Sequence, residues 1–305
     1  MGKKYAFAIG AALIGLVAPA VPTRAAPRVV VSVVPVQALV ASVMAGVGTP
    51  RLLVPSGASP HAYALRPSDA RALETAELVV LIDPSFETFL TRPLASLAGR
   101  ARVVRVADLP GVQKRPARGL SWTAHDPHDD AHLPHGGFDP HLWLDPANAR
   151  RIGAAAATVL MELDPANAAV YQRNAEALDG TLTALDETLR RELAPVAQRP
   201  FVVFHDAYQY LEVRYGLTAV GAITVAPERP PGARRLAALR ERMRTKGVVC
   251  VFREPQFPSR LVETLTEGTG VRVGVLDPLG QPDGYVAMMQ ANARALRTCL
   301  APEDT

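Results

Sequence analysis

Along most of the chain, short apolar β-branched runs alternate with stretches whose apolar positions recur at helical spacing. Arg28–Val34, Arg51–Val54, Leu78–Ile82 and Arg102–Val106 read as strands. Pro35–Ala45, the run opened by Pro67-Ser68-Asp69 and reaching Ala76, and Phe86–Leu97 read as the helices between them. Strand–helix alternation of this kind predicts parallel βαβ units with helices on the faces of a sheet. From about Leu109 to Asp139 the periodicity is lost in a stretch rich in Pro, Gly, His and Asp, a length that in a compact domain usually belongs to a functional or disordered loop. Helices are then expected at Pro146–Leu163 and from Ala166 to about Leu193, where Leu178, Leu182, Leu185 and Leu189 share one face. The second of these would run about 40 Å, at ~1.5 Å per residue. Alternation resumes with strands at Phe201–Phe204, Ala219–Thr224, Val248–Phe252 and Val271–Leu276. Helices follow near Ala207–Tyr215, Ala233–Lys246, Ser259–Glu267 and Gly284–Leu300.

This pattern predicts an α/β protein of two similar lobes, each a four-stranded, mostly parallel sheet flanked by helices. One long rigid helix joins them, although no close internal sequence repeat relates the halves. The expected division is a signal peptide over 1–26, an N-terminal lobe over 27–164 with the irregular loop at about 109–139, a linking helix over 165–193 and a C-terminal lobe over 194–305. A length of 305 residues suits two domains of roughly 130 residues each.

The N-terminus changes how the charge is read. Met1–Lys4 is short and positive, Tyr5–Val17 is almost wholly apolar, and small residues follow at Ala18-Pro19-Ala20 and Thr23-Arg24-Ala25, the layout of a cleaved secretory signal. The apolar run is too short for a comfortable membrane span, and no cysteine near it invites a lipid anchor. The mature protein is expected to start between Val21 and Pro27, to lie outside the cytoplasm and to have no stable membrane insertion. The formal charge of +4 includes Lys3, Lys4 and Arg24 from that segment, which holds no acid. The remaining 30 basic and 29 acidic residues nearly cancel, which leaves no broad electrostatic claim on nucleic acid. Export also gives meaning to the two cysteines, Cys250 and Cys299. An oxidising compartment favours a disulfide between them over two separate buried thiols.

Seven histidines carry the candidate chemistry. His125, His128, His132 and His135 fall in the irregular loop, mixed with carboxylates, where they could form an auxiliary weak metal site or an incidental solvated insertion. The other three sit at positions the fold singles out, because ligands in open α/β sheets bind beyond the carboxyl ends of the strands. His61 follows the strand ending at Val54, His205 follows Phe201–Phe204, and His141 lies where the loop re-enters regular structure. Three neutral imidazoles and one oxygen donor make a tetrahedral zinc site. Asp277, after the strand Val271–Leu276, fits as the fourth donor, its alternative role being to cap the turn before Pro278. Asp83 is a weaker candidate on the same grounds.

These residues also carry a resemblance. Pro55-Ser-Gly-Ala-Ser-Pro-His61-Ala-Tyr63 with Arg66-Pro-Ser-Asp69, Asp139-Pro-His141-Leu-Trp143-Leu-Asp145-Pro146, Phe204-His205-Asp206-Ala207-Tyr208 and Leu276-Asp277-Pro278-Leu279-Gly280 resemble, in order, the four metal-binding segments of the periplasmic metal-binding proteins of ABC transporters, the ZnuA/TroA-type family. The likeness covers essentially the whole mature chain. It implies metal held in the cleft between lobes, with His61 and His141 from the first and His205 and Asp277 from the second. Cys250-Val-Phe-Arg-Glu-Pro-Gln256 resembles the zinc-uptake branch, in which a cysteine here pairs with one near the C-terminus. That branch also carries a His-rich acidic loop thought to collect or sense zinc. Manganese-binding relatives tend to place a carboxylate where this chain has His205, and imidazole in place of a hard oxygen disfavours Mn²⁺. The chain departs from some zinc-uptake members in having Pro60 rather than Glu before the first histidine, which leaves Asp277 or water as fourth donor.

The resemblance implies a monomeric Zn²⁺ carrier that docks on a membrane permease and its ATPase. Two readings compete with it: a manganese or iron carrier of the same family, and a zinc-dependent hydrolase using Asp206 or Glu254 as base. Against the hydrolase, the chain has no H-E-x-x-H helix, nucleophile elbow or Gly-rich phosphate loop.

Overall fold

A computed structural model describes residue 2 and residues 25–118, 137–224, 227 and 231–302. The expected signal segment lies almost wholly outside the described residues, and so do His125, His128, His132 and His135. Among the described residues no helix is long and apolar enough to cross a membrane.

Two four-stranded sheets form, and every strand pair in them is parallel. In the first, β1 (Val29–Val31), β2 (Arg51–Leu52), β3 (Leu78–Leu81) and β4 (Arg102–Arg105) lie in the order β2-β1-β3-β4. In the second, β5 (Phe201–His205), β6 (Ala219–Thr224), β7 (Cys250–Arg253) and β8 (Arg272–Val275) repeat that arrangement as β6-β5-β7-β8. The central strands β1, β3 and β5 are buried throughout, as β-branched and aromatic runs covered on both faces should be. The helices are α1 (Val34–Val43), α2 (Pro67–Thr75), α3 (Thr91–Ser96), α4 (Pro146–Leu163), α5 (Ala168–Leu193), α6 (Gln209–Tyr215), α7 (Ala233–Lys246), α8 (Arg260–Thr266) and α9 (Tyr285–Leu300).

The long helix α5 spans 26 residues, about 39 Å, and buries Tyr171, Leu178, Leu182, Leu185, Leu189 and Leu193 on one stripe. It packs along α1, α4 and α9, so it touches elements of both halves. Gly153 of α4 allows the α4–α5 approach, since a Cβ there would stand 2.8 Å from Leu178 Cδ2. The main apolar core is continuous from Val31 and Leu142 of the first lobe, through Leu182 and Leu189, to Val203 and Leu296 of the second. A shared core of this kind ties the lobes together far more firmly than a polar hinge would.

Most elements match the sequence expectation within two residues. Two expectations fall outside that margin. The strand expected at Arg28–Val34 stops at Val31, because α1 already starts at Val34, and in place of the helix expected at Phe86–Leu97 a 3₁₀ turn at Thr88–Leu90 precedes a short α3. Pro93 explains the break, because it supplies no N–H and so suits the first turn of a helix and not its interior. Cys250, at the start of β7, and Cys299, near the end of α9, form a disulfide with a Cα–Cα distance of 6.0 Å. It closes a loop of 49 residues, worth about 4 kcal/mol in the chain-entropy view.

Candidate metal centre

His61, His141 and His205 reach one point from three different local structures. His61 sits in a 3₁₀ turn, Pro60–Ala62, between β2 and α2. The turn is held from its far side: Tyr63 Oη donates to Asp69 Oδ2 (2.8 Å), and Arg66 N–H donates to the same oxygen (3.1 Å). The Tyr63…Arg66…Asp69 spacing seen in the sequence therefore anchors the His61 loop to the start of α2. His141 precedes the 3₁₀ turn Leu142–Leu144, whose Trp143 locks onto the second lobe. Trp143 Nε1–H donates to Pro278 O (2.7 Å), and Tyr285 Oη donates to Trp143 O (2.7 Å). His205 is the last residue of β5, the central strand of the second sheet.

The three rings stand 5.1–5.8 Å apart by centroid, and their ligand nitrogens all lie within 4.8 Å of one another. His141 Nε2 and His205 Nε2 are 3.2 Å apart. Two nitrogens bound tetrahedrally at ~2.0–2.1 Å to one zinc would be about 3.3 Å apart, so the pair is already at coordination spacing. Between them the cavity measures about 10 Å³, room for one ion or water and not for an organic substrate. Phe86 stands edge-on to His61 at 5.0 Å, and Trp143 and Phe257 face His141 and His205, which gives the site an apolar collar.

Two buried carboxylates fix which nitrogen points inward. Asp139 Oδ1 lies 2.7 Å from His141 Nδ1 and also accepts His141 N–H. Glu254 places both its oxygens 2.7 Å from His205 Nδ1. Each carboxylate accepts a hydrogen bond from the Nδ1–H of its histidine, so each ring presents Nε2 to the cavity. Burial pushes the His205 pKa down, but the Glu254 carboxylate outweighs it and holds His205 above its ordinary value. A cation arriving there displaces a proton.

The acids named from the sequence take other roles. Asp277 follows β8, but its carboxylate is outside the three-histidine group. Its Oδ1 accepts from Gln256 Nε2 (2.7 Å) and from the N–H groups of Leu279 (3.0 Å) and Gly280 (2.9 Å), the turn-capping role. Asp83 Oδ1 likewise caps Ser85 N–H (2.8 Å). Asp206 pairs with Arg118, and Glu254 is committed to His205. Pro60 lines the cavity beside His61 and offers no donor. Sequence reasoning missed Asp139 and Glu254 as the groups that orient the His141 and His205 rings. For Asp139 a signal existed, an acid two residues before the histidine; for Glu254, 49 residues from His205, there was none.

A family model described as zinc-uptake complex component A, periplasmic (ZnuA) matches residues 29–299. The high-affinity zinc uptake system protein ZnuA of Brucella suis biovar 1 (strain 1330) is 42% identical, over 90% of this chain and 91% of its own. Two solved structures superpose closely. One, of ZnuA, has a TM-score of 0.78 at 29% identity, covering 90% of this chain and all of the other. The other, a ZnuA deletion mutant with zinc bound, has a TM-score of 0.79 at 26% identity, covering 92% and 100%. The chain belongs to the periplasmic ZnuA family of zinc-uptake components.

Proposed function

We propose that this protein is the extracytoplasmic, high-affinity zinc-binding component of an ABC-type uptake system. It captures Zn²⁺ between its lobes and hands it to a membrane permease driven by a cytoplasmic ATPase. The observation that carries this reading is the 3.2 Å approach of His141 Nε2 and His205 Nε2, with His61 completing the group in an ion-sized cavity. Three imidazoles favour zinc over Mn²⁺, for which harder oxygen ligands are wanted. The names of the relatives agree with this. A hydrolase would need a carboxylate free to take a proton from metal-bound water, and Asp206 and Glu254 are both engaged. The chain works as a periplasmic monomer. His61, His141 and His205 are the permanent ligands, and the fourth position is filled by water or by Asp277 once its turn opens, which Asp277→Asn separates.

The test is competitive titration of the purified protein with Zn²⁺ and Mn²⁺, with bound metal counted. One tightly held zinc per chain, surviving replacement of His125, His128, His132 and His135 and lost on replacement of His61, His141 and His205, is the expected result. Equal affinity for Mn²⁺ would overturn the zinc assignment. Loss of tight binding on removing the four loop histidines would overturn the cleft.

A further inference from the structure

The segment that leads from the first sheet to His141 crosses to the second lobe before it returns. Arg115 N–H donates to the Tyr210 hydroxyl (3.0 Å), and that hydroxyl donates to Asp139 O (2.7 Å). Asp139 N–H donates to Arg115 O (2.9 Å), Ala117 N–H donates to Gly137 O (3.2 Å), and Pro116 forms an antiparallel bridge with Phe138. Residues 115–118 and 137–139 thus make a two-legged root, and Tyr210 of α6 stands between the legs.

Arg118 completes the crossing. Its side chain is 16% exposed, and its two partners are 7% (Asp206) and 6% (Glu212) exposed. Nε donates to Asp206 Oδ2 (3.2 Å) and Nη2 to Asp206 Oδ1, while Nη1 donates to Glu212 Oε2 (2.6 Å) and Nη2 to Glu212 Oε1 (3.1 Å). One planar guanidinium therefore grips two carboxylates with two bonds each, a geometry that lysine cannot reproduce. Both carboxylates belong to the second lobe, and Asp206 is the residue after His205. On the other leg, Asp139 holds the His141 ring. The two histidines nearest each other are thus fixed to opposite ends of one strap.

We propose that Arg118 is a positioning residue for metal retention: it binds the root of the 109–139 segment onto the second lobe and so sets the spacing of His141 and His205. This rests on the zinc-carrier reading above. A ligand set must be held to within about 0.5 Å of its working geometry. Cutting the strap leaves every ligand present and loosens only their separation.

The experiment follows zinc release from the full purified chain into a fluorescent chelator. Arg118→Met leaves two buried carboxylates unpaired and could fail to fold. It is therefore paired with the neutralised triple variant Arg118→Met/Asp206→Asn/Glu212→Gln, which has no charge left to compensate, and with Arg118→Lys. Release about 10-fold faster in the triple variant, with one zinc still bound per chain and an unshifted metal-free unfolding midpoint, is the expected result. Arg118→Lys, which restores the charge without the fork, should recover part of the loss. A folded triple variant that releases zinc at the wild-type rate would overturn the strap alone. A wild-type chain that takes up no zinc would instead overturn the carrier reading beneath it.

Discussion

The two sheets have the same strand order and direction, yet they end their central strands differently. In the first lobe β1 is followed by Ser32; in the second β5 ends on His205. In each lobe a buried glutamate beyond the neighbouring strand reaches across to that residue. Ser32 Oγ donates to Glu87 Oε1 (2.5 Å), and His205 Nδ1 meets Glu254 (2.7 Å). Glu87 also accepts the N–H groups of Ile82 and Asp83, so its carboxylate is spent on closing its own strand end. Glu254 has His205 as its main partner, including the His205 N–H at 3.3 Å. One frame, a glutamate bridging two strand ends, serves as a structural peg in one lobe and as the support of the proposed metal ligand His205 in the other. The first lobe contributes its histidines instead from irregular segments, the His61 turn and the His141 re-entry. What separates the two uses is the single residue at the end of the central strand.

The largest break in this comparison comes from substituting that residue in each lobe. His205→Ala should raise the zinc Kd by more than 100-fold, beyond what losing an orienting partner does. Ser32→Ala, at the matching position, should leave zinc affinity unchanged and cost about 1–3 kcal/mol of stability by removing a buried donor from Glu87. Isothermal titration and urea unfolding of both variants check the pair. Zinc affinity lost equally in the two would show that the lobes do not divide the work in this way.

A smaller effect is expected at Glu254. Glu254→Ala should weaken zinc binding by about 10–100-fold, because His205 keeps its place but loses the acceptor that fixes its ring and tautomer. Glu254→Gln, whose side-chain oxygen still accepts from Nδ1–H, should recover most of that loss. Competition against a chelator of known affinity distinguishes the two. Equal weakening in Ala and Gln would mean that the charge of Glu254, and not its orienting bond, supports the metal.

The contrast between the lobes was only partly legible in the sequence. Strand–helix alternation and the α5 leucine stripe fix the two lobes and their link, because period and burial are local properties of the chain. The rule that ligands gather at strand ends singled out the three histidines that the fold brings together, although only His205 ends a strand and His61 and His141 lie in irregular segments. It could not say where an acidic side chain points. Asp277 is at the right strand end, yet the backbone N–H groups of its own turn, three and two residues on, claim its Oδ1. Glu254 has the opposite history: it stands out in the sequence only as a possible base. Its bond to His205 depends on β5 and β7 being neighbours, a pairing that no local pattern records. The helix expected at Phe86–Leu97 is interrupted before Pro93, which fits only a first helical turn, a local signal present in the sequence.

Glu87 is expected to have the smallest effect on zinc and the clearest effect on pH dependence. Burial pushes its carboxyl from an ordinary 4.5 up to about 7, against the pull of the Ile82, Ser32 and Asp83 donors. The folded protein therefore holds this proton more tightly than the unfolded chain does. The resulting stability is fully present below about pH 4.5 and is lost as pH rises through about 7. Burial also raises Asp206, to about 6, and Glu212, to about 7, so the whole protein carries more than one contribution of this sign. Those two acids are common to the wild type and Glu87→Gln, and they cancel in the difference between the proteins. Urea midpoints of the metal-free proteins at pH 5 and pH 8 should fall more steeply for the wild type than for Glu87→Gln. Because Glu87 peg-locks a strand end that carries no ligand, the zinc Kd of the variant at pH 7.5 should equal that of the wild type. A Kd raised as far as in Glu254→Ala would mean that both glutamates act on the metal, and the division of labour between the lobes would fail.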